Sequence, residues 1–155
     1  YRARGAARHL SGRLQRARAE AVARGAHVAL RFSQAGTPVD FTVFVDGNRN
    51  GLSTADIAAG IDRPIGPAAD LSDFPGVQFG IVPGTASPEG LPLTSDPIRF
   101  GVSRMASFTP RGTATAGSVY LRGRDGSQYV VRVYGDTGKT TTLRYERRAE
   151  RWVPL

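Results

Sequence analysis

Cysteine is missing from this chain altogether. Disulfides and thiolate metal sites are therefore excluded, and cysteine usage says nothing about redox compartment. Histidine is scarce: only His9 and His27 are present, which leaves little material for imidazole catalysis. Lysine is scarcer still, because 20 of the 21 basic residues are Arg and only Lys139 is Lys. No stretch approaches the ~18 apolar residues that crossing a membrane as a helix requires. An initiating methionine is also lacking. The chain opens at Tyr1, and the expectation is a processed or trimmed product whose upstream segment is missing.

What is there suits a globular protein. A length of 155 residues with 40% hydrophobic content can bury a real core, while 19 Gly and 10 Pro call for many turns. The net charge of +8 is unevenly spread. Residues 1–24 hold seven Arg against one Glu, residues 144–151 hold four Arg against two Glu, and the ten basic and ten acidic residues between them cancel. The excess charge thus sits near the two ends. Arginine binds phosphate bidentately, so headgroups and nucleic acid both come into view as partners.

Residues 2–24 read as a helix. Ala3, Ala7, Leu10, Leu14, Ala17 and Ala21 recur at alternating spacings of four and three and so share one face. Gly25 stands where a helix C-terminus wants a left-handed residue. The period then changes to two. "HVALRF" (27–32) and "VDFTVFV" (39–45) alternate as strands do, joined by a short turn over 34–38. Residues 46–73 read as loop, and 77–82 as a strand followed by a long irregular connection. Further strands are expected at 98–102, 106–110, 118–123, 128–135 and 140–147, with a last one around "RWVPL". The predicted fold class is α+β: an N-terminal helix packed against antiparallel sheets. One domain is expected over 1–155, with helix to residue 25 and β structure from 26 onward.

Two short motifs resemble ligand loops. In "DGNRNGLSTADI", Asp46, Asn48, Asn50 and Gly51 fit the opening of a calcium loop, but its twelfth position is Ile57 where a bidentate Glu is needed. A strand precedes it, so the stretch reads as a turn. "GDTGKTTT" (135–142) resembles a phosphate loop, yet Val133 stands where the first Gly belongs and strand-like residues follow. It reads as a hairpin turn. No Ser lies in a G-x-S-x-G setting, and acidic residues are scattered through loops, so no catalytic residues, metal or cofactor are expected. The tail "RYERRAERW" interleaves Arg with Tyr145 and Trp152, a mixture used by backbone-directed nucleic-acid binders, although its two Glu work against that use.

In order, these pieces resemble the soluble part of the GspH/FimT family of type II pseudopilins and type IV minor pilins. A family helix reading "ARSEAVxRGxxV" is matched by Ala17, Arg18, Glu20, Ala21, Val22, Arg24, Gly25 and Val28. The strand and turn "VFVDxNxNG" match Val43 to Gly51, and a later β pattern is followed by Phe108, Gly112, Gly117, Val119 and Leu121. The resemblance implies a minor pseudopilin, a periplasmic fibre subunit held at the inner membrane by a helix preceding this one. Its partners would be other pseudopilins or pilins and secreted cargo, and its work would be assembly. Leu10, Leu14, Ala17 and Ala21 are then the expected packing residues, entering a helical fibre core with at least the last two against the subunit's own sheet. The alternative is a pilus subunit that captures DNA through Arg144, Arg147, Arg148 and Arg151, with Lys139 nearby. DNA-binding members carry a "GRxR"-like segment where this chain has Gly138-Lys139-Thr140-Thr141.

Overall fold

The computed structural model describes residues 2–33, 39–93 and 95–155, so the turn expected over 34–38 lies outside the described residues. Helix α1 spans Arg2–Arg24 and buries Ala3, Ala6, Ala7, Leu10, Leu14, Ala17 and Ala21. These are the positions that the spacing selects, with Ala6 added. Alanine keeps the helix axis close to whatever it packs on, and Leu10 and Leu14 fill the middle of the contact. The helix ends where glycine permits. Gly25 adopts φ +62°; its N–H donates to the Val22 carbonyl at 3.3 Å, and Ala26 N–H donates to that of Ala21 at 3.2 Å. That pair of bonds is a Schellman cap.

Two antiparallel sheets receive the helix. The first contains β1 (Val28–Phe32), β2 (Phe41–Val45), β3 (Arg63–Pro64) and β6 (Met105–Phe108), in the order β3-β2-β1-β6. The second contains β4 (Gln78–Phe79), β7 (Gly117–Arg122), β8 (Gln128–Val133), β9 (Thr140–Glu146) and β10 (Arg151–Pro154), in the order β10-β9-β8-β7-β4. β5 (Ile98–Arg99) also pairs with β7. Helix α1 touches β1 and β6 of the first sheet and β7, β8 and β9 of the second. Alternation places Val28, Leu30 and Phe32 from one sheet, and Val119, Leu121, Val131 and Val133 from the other, in a common core with the helix stripe. Aromatic rings bridge the layers: Phe32 lies 6.1 Å from Phe100 in a near-parallel stack and 5.7 Å from Phe79 edge-on.

The long connection after β4 does not hang free. It crosses the outer side of the second sheet, where Glu89 pairs with Arg132 at 2.9 Å and the Trp152 indole N–H donates to the Ala86 carbonyl at 2.9 Å. Gln128, 1% exposed, fixes its start. The Gln128 Oε1 accepts from Val82 N–H at 2.6 Å, while Nε2 donates to the carbonyls of Gly80 and Leu121 at 3.0 and 2.9 Å. In the β4–β7 register residue 82 would face Ser118, but Arg99 of β5 already pairs there, so β4 stops at Phe79 instead of running to residue 82 and the Gln128 amide takes the Val82 N–H that the ladder leaves over. The strand expected at 98–102 is likewise cut to β5, because Gly101 turns the chain at φ +77°. The stretch 46–73, expected as loop, contains the short helix α2 (Thr54–Ala58) and β3. Ser53 caps α2 by accepting from Asp56 N–H at 3.0 Å.

Candidate functional site

The Asp46 turn is built from its own carboxylates. Asp46, whose side chain is 1% exposed, accepts from the backbone N–H groups of Asn48 and Arg49 at 3.1 Å through Oδ1, and from Gly51 at 2.8 Å through Oδ2. Asp62, equally buried, accepts from Gly47 and Ser53 N–H at 3.1 Å. A calcium ligand must turn its lone pairs toward the cation. Here backbone donors occupy those directions on both oxygens of Asp46. Asn48 turns its amide to Asp56 at 3.3 Å, and Arg49 takes the left-handed conformation at φ +64°. The stretch is a turn locked by two aspartates, of which the sequence motif reveals only the first. Among the described residues no group of three His, Asp or Glu could hold a metal ion.

The segment 135–142 is the turn between β8 and β9 together with the first three residues of β9; Gly138 N–H donates to the Tyr134 carbonyl at 2.8 Å and Tyr134 N–H to that of Lys139 at 2.9 Å. Strand β9 follows, so no helix N-terminus faces a phosphate. Gly138 is required there: an added Cβ would lie 2.0 Å from the Gly112 carbonyl oxygen, and φ is +68°.

Helix α1 has two sides with different chemistry. Leu10, Leu14 and Ala21 are fully buried and Ala17 nearly so, all four in the core formed with the chain's own strands. Three arginines reach back from the flanks to hold the helix down. Arg18 Nε donates to the Gly112 carbonyl at 2.8 Å, Arg2 donates to that of Pro75 at 3.3 Å, and the Arg13 guanidinium lies 5.6 Å from the Phe41 ring centre. Arg24 bonds Glu20 at 2.7 Å, and that hydrogen bond, with the Arg24 charge and a smaller contribution from the Arg16 charge, holds the Glu20 carboxyl below its usual range. Arg4, Arg8 and Arg16 point outward, exposed and without an ion pair among the described residues.

The C-terminal arginines surround the β9–β10 hairpin. Arg144, Arg147, Arg148 and Arg151 are all exposed. Glu146 sits 3.4 Å from Arg144 and 3.9 Å from Arg151, and Arg147 donates to the Gly126 carbonyl at 2.9 Å. Lys139 is not with them. It stands before the other end of the seven-residue β9, roughly 25 Å from Arg147 at about 3.4 Å per residue. The structure thus gathers the four arginines on one hairpin, two of them sharing the Glu146 carboxylate, and sets the lysine apart.

A long helix laid across two antiparallel sheets, its apolar stripe spent on them and its outer side charged, is a pilin-like α+β architecture. The chain belongs to the GspH family of type II transport proteins, whose family model matches residues 6–138. Its fold is similar to that of the minor pseudopilin EpsH from the type 2 secretion system of Vibrio cholerae, at a TM-score of 0.58 and 14% identity. That match covers 93% of this chain and 98% of the other. No curated protein matches the chain significantly in sequence. The family consists of structural components of secretion, not of enzymes. The family match lies on the secretion side, and nothing favours the DNA-capturing pilus subunit.

Proposed function

We propose that this chain works as a minor pseudopilin of a type II secretion pseudopilus, acting by assembly with other pseudopilins. The observation that carries this reading is the two-sided helix: 23 residues held to the β region along one face and open along the other. In this reading a membrane-spanning helix precedes α1 and roots the subunit in the inner membrane. The described residues, which lie in the periplasm, contain no helix long and apolar enough to cross a membrane. Leu10, Leu14, Ala17 and Ala21 serve assembly indirectly, by fixing α1 on the sheets so that its outer side is presented to a neighbour. The β region faces away from the fibre and meets neighbouring subunits or secreted cargo.

The test uses the absence of cysteine. Single-cysteine variants Ala19→Cys and Ala23→Cys, placed on exposed helix positions, report contacts without background thiols. In cells that depend on this chain for secretion, both should cross-link to other pseudopilins, and deletion should stop export. Normal export after deletion, with no cross-link from either position, would refute the proposal.

A further inference from the structure

We infer that the outward face of α1 docks an acidic helix of a different subunit, and that its charge keeps a second copy of this chain from taking that place. The inference rests on the pseudopilin reading and names the chemistry of the neighbour. Arg4, Arg8, Gly12 and Arg16 follow one another at intervals of four, so they form a single ridge on the solvent side. An adjoining ridge carries Gln15, Ala19 and Ala23, also exposed. A Cβ at Gly12 would meet nothing within 4 Å, so the centre of this face is low and open. Beside it runs a groove of about 580 Å³ between Arg8, Gly12 and Gln15 on the helix and Thr141, Leu143 and Leu155 on the β side.

Charge decides what fits. The only carboxylate on α1 is Glu20; Arg24 holds it in an ion pair, and Arg16 feels it only through its charge, without a direct contact. Arg4 and Arg8, four apart and of like sign, repel one another on the helix surface, a local cost that an incoming carboxylate would relieve. Two copies meeting through this face would bring Arg4, Arg8 and Arg16 against the same three cations. A helix with Asp or Glu beside small residues meets the ridge without that penalty and can approach closely at Gly12. Repulsion between like copies and attraction to an acidic neighbour together set the order of subunits.

The test makes its own acidic partner. A full-length variant, Arg4→Glu/Arg8→Glu/Arg16→Glu, keeps the shape and reverses the face; all three side chains are exposed, and circular dichroism checks that it folds. The labelled variant is titrated with the unmodified chain by fluorescence anisotropy at low salt. The mixed pair should associate at least tenfold more tightly than either chain with itself, as three exposed ion pairs warrant, and the difference should fade as salt rises. Equal self-association of the unmodified chain overturns the inference. So does stronger binding of that chain to phosphatidylglycerol vesicles that displaces the variant, which would assign the face to lipid. In cells, export restored by the unmodified chain and by Arg→Lys replacements, but not by the Glu variant, supports the inference. Export restored equally by the Glu variant defeats it while leaving the pseudopilin reading intact, and export indifferent to deletion defeats that reading instead.

Discussion

Asp46→Ala tests whether the motif at residues 46–51 is an internal lock or a cation site. The substitution strips the acceptor from three backbone N–H groups, those of Asn48, Arg49 and Gly51, at 3.1, 3.1 and 2.8 Å. Hydrogen bonds to a charged group contribute about 1.5–3 kcal/mol each, but the turn is exposed enough for water to replace part of the loss. A destabilisation of about 2–4 kcal/mol follows. In urea, taking m of about 2 kcal/mol/M for a domain of this size, the midpoint should fall by about 1–2 M at unchanged m. Asp46→Asn keeps the shape but forces an NH2 group against at least one of those N–H donors, and should lose an intermediate amount. The unmodified protein should unfold at the same midpoint with calcium or with a chelator. A ligand at 100 times its dissociation constant would add about 2.7 kcal/mol, so a specific site with a dissociation constant of about 0.1 mM would show clearly at about 10 mM calcium. A calcium-dependent midpoint, or a loss below about 0.5 kcal/mol in Asp46→Ala, would refute the reasoning.

Leu14→Ala empties a fully buried position between helix and sheets and should cost about 3–5 kcal/mol by thermal or urea unfolding, whereas Arg8→Gln on the exposed side should stay within about 0.5 kcal/mol. Gln128→Leu should strand Val82 N–H and the Gly80 carbonyl, lowering stability by about 2–3 kcal/mol and speeding amide exchange in the first residues of the loop after β4 before it affects the core strands. Burial pushes the Tyr120 phenol above its ordinary value. The folded state then keeps its proton longer than the unfolded chain, so stability is intact below about pH 10 and falls as pH rises toward the folded value. Tyr120→Phe should flatten that alkaline decline, and an unchanged profile would show that Tyr120 does not cause it.

The parts legible in the sequence are those whose causes are local. The period of Ala3, Ala7, Leu10 and Leu14 and the glycine at 25 specify α1 without reference to the rest of the chain, and its observed end is the cap that the glycine predicts. Alternation likewise locates β7, β8 and β9. Where the cause is distant, the sequence is silent. Asp62 locks the Asp46 turn from fifteen residues away, and an isolated aspartate in a loop carries no mark of that duty. Gln128 anchors the start of the loop after β4 across 46 residues of chain. On the helix, the spacing marks Leu10, Leu14, Ala17 and Ala21 as packing residues but cannot say against what. The fold spends all four on the chain's own sheets, not only the last two, and this leaves the opposite face as the one free to meet a neighbour.

The seven arginines of α1 show why net charge is a poor guide to use. A stripe of mostly alanine buries little apolar surface per residue, so outside Leu10 and Leu14 the helix needs other ties. Arg2, Arg13 and Arg18 supply them: two bond loop carbonyls and one lies over the Phe41 ring. Arg24 is engaged by Glu20. What remains for a partner is Arg4, Arg8 and Arg16, three cations on one ridge rather than a diffuse field of seven. A ridge of that kind discriminates by position as well as by sign. Carboxylates spaced by one helical turn can match it, whereas a diffuse anionic surface can only neutralise it.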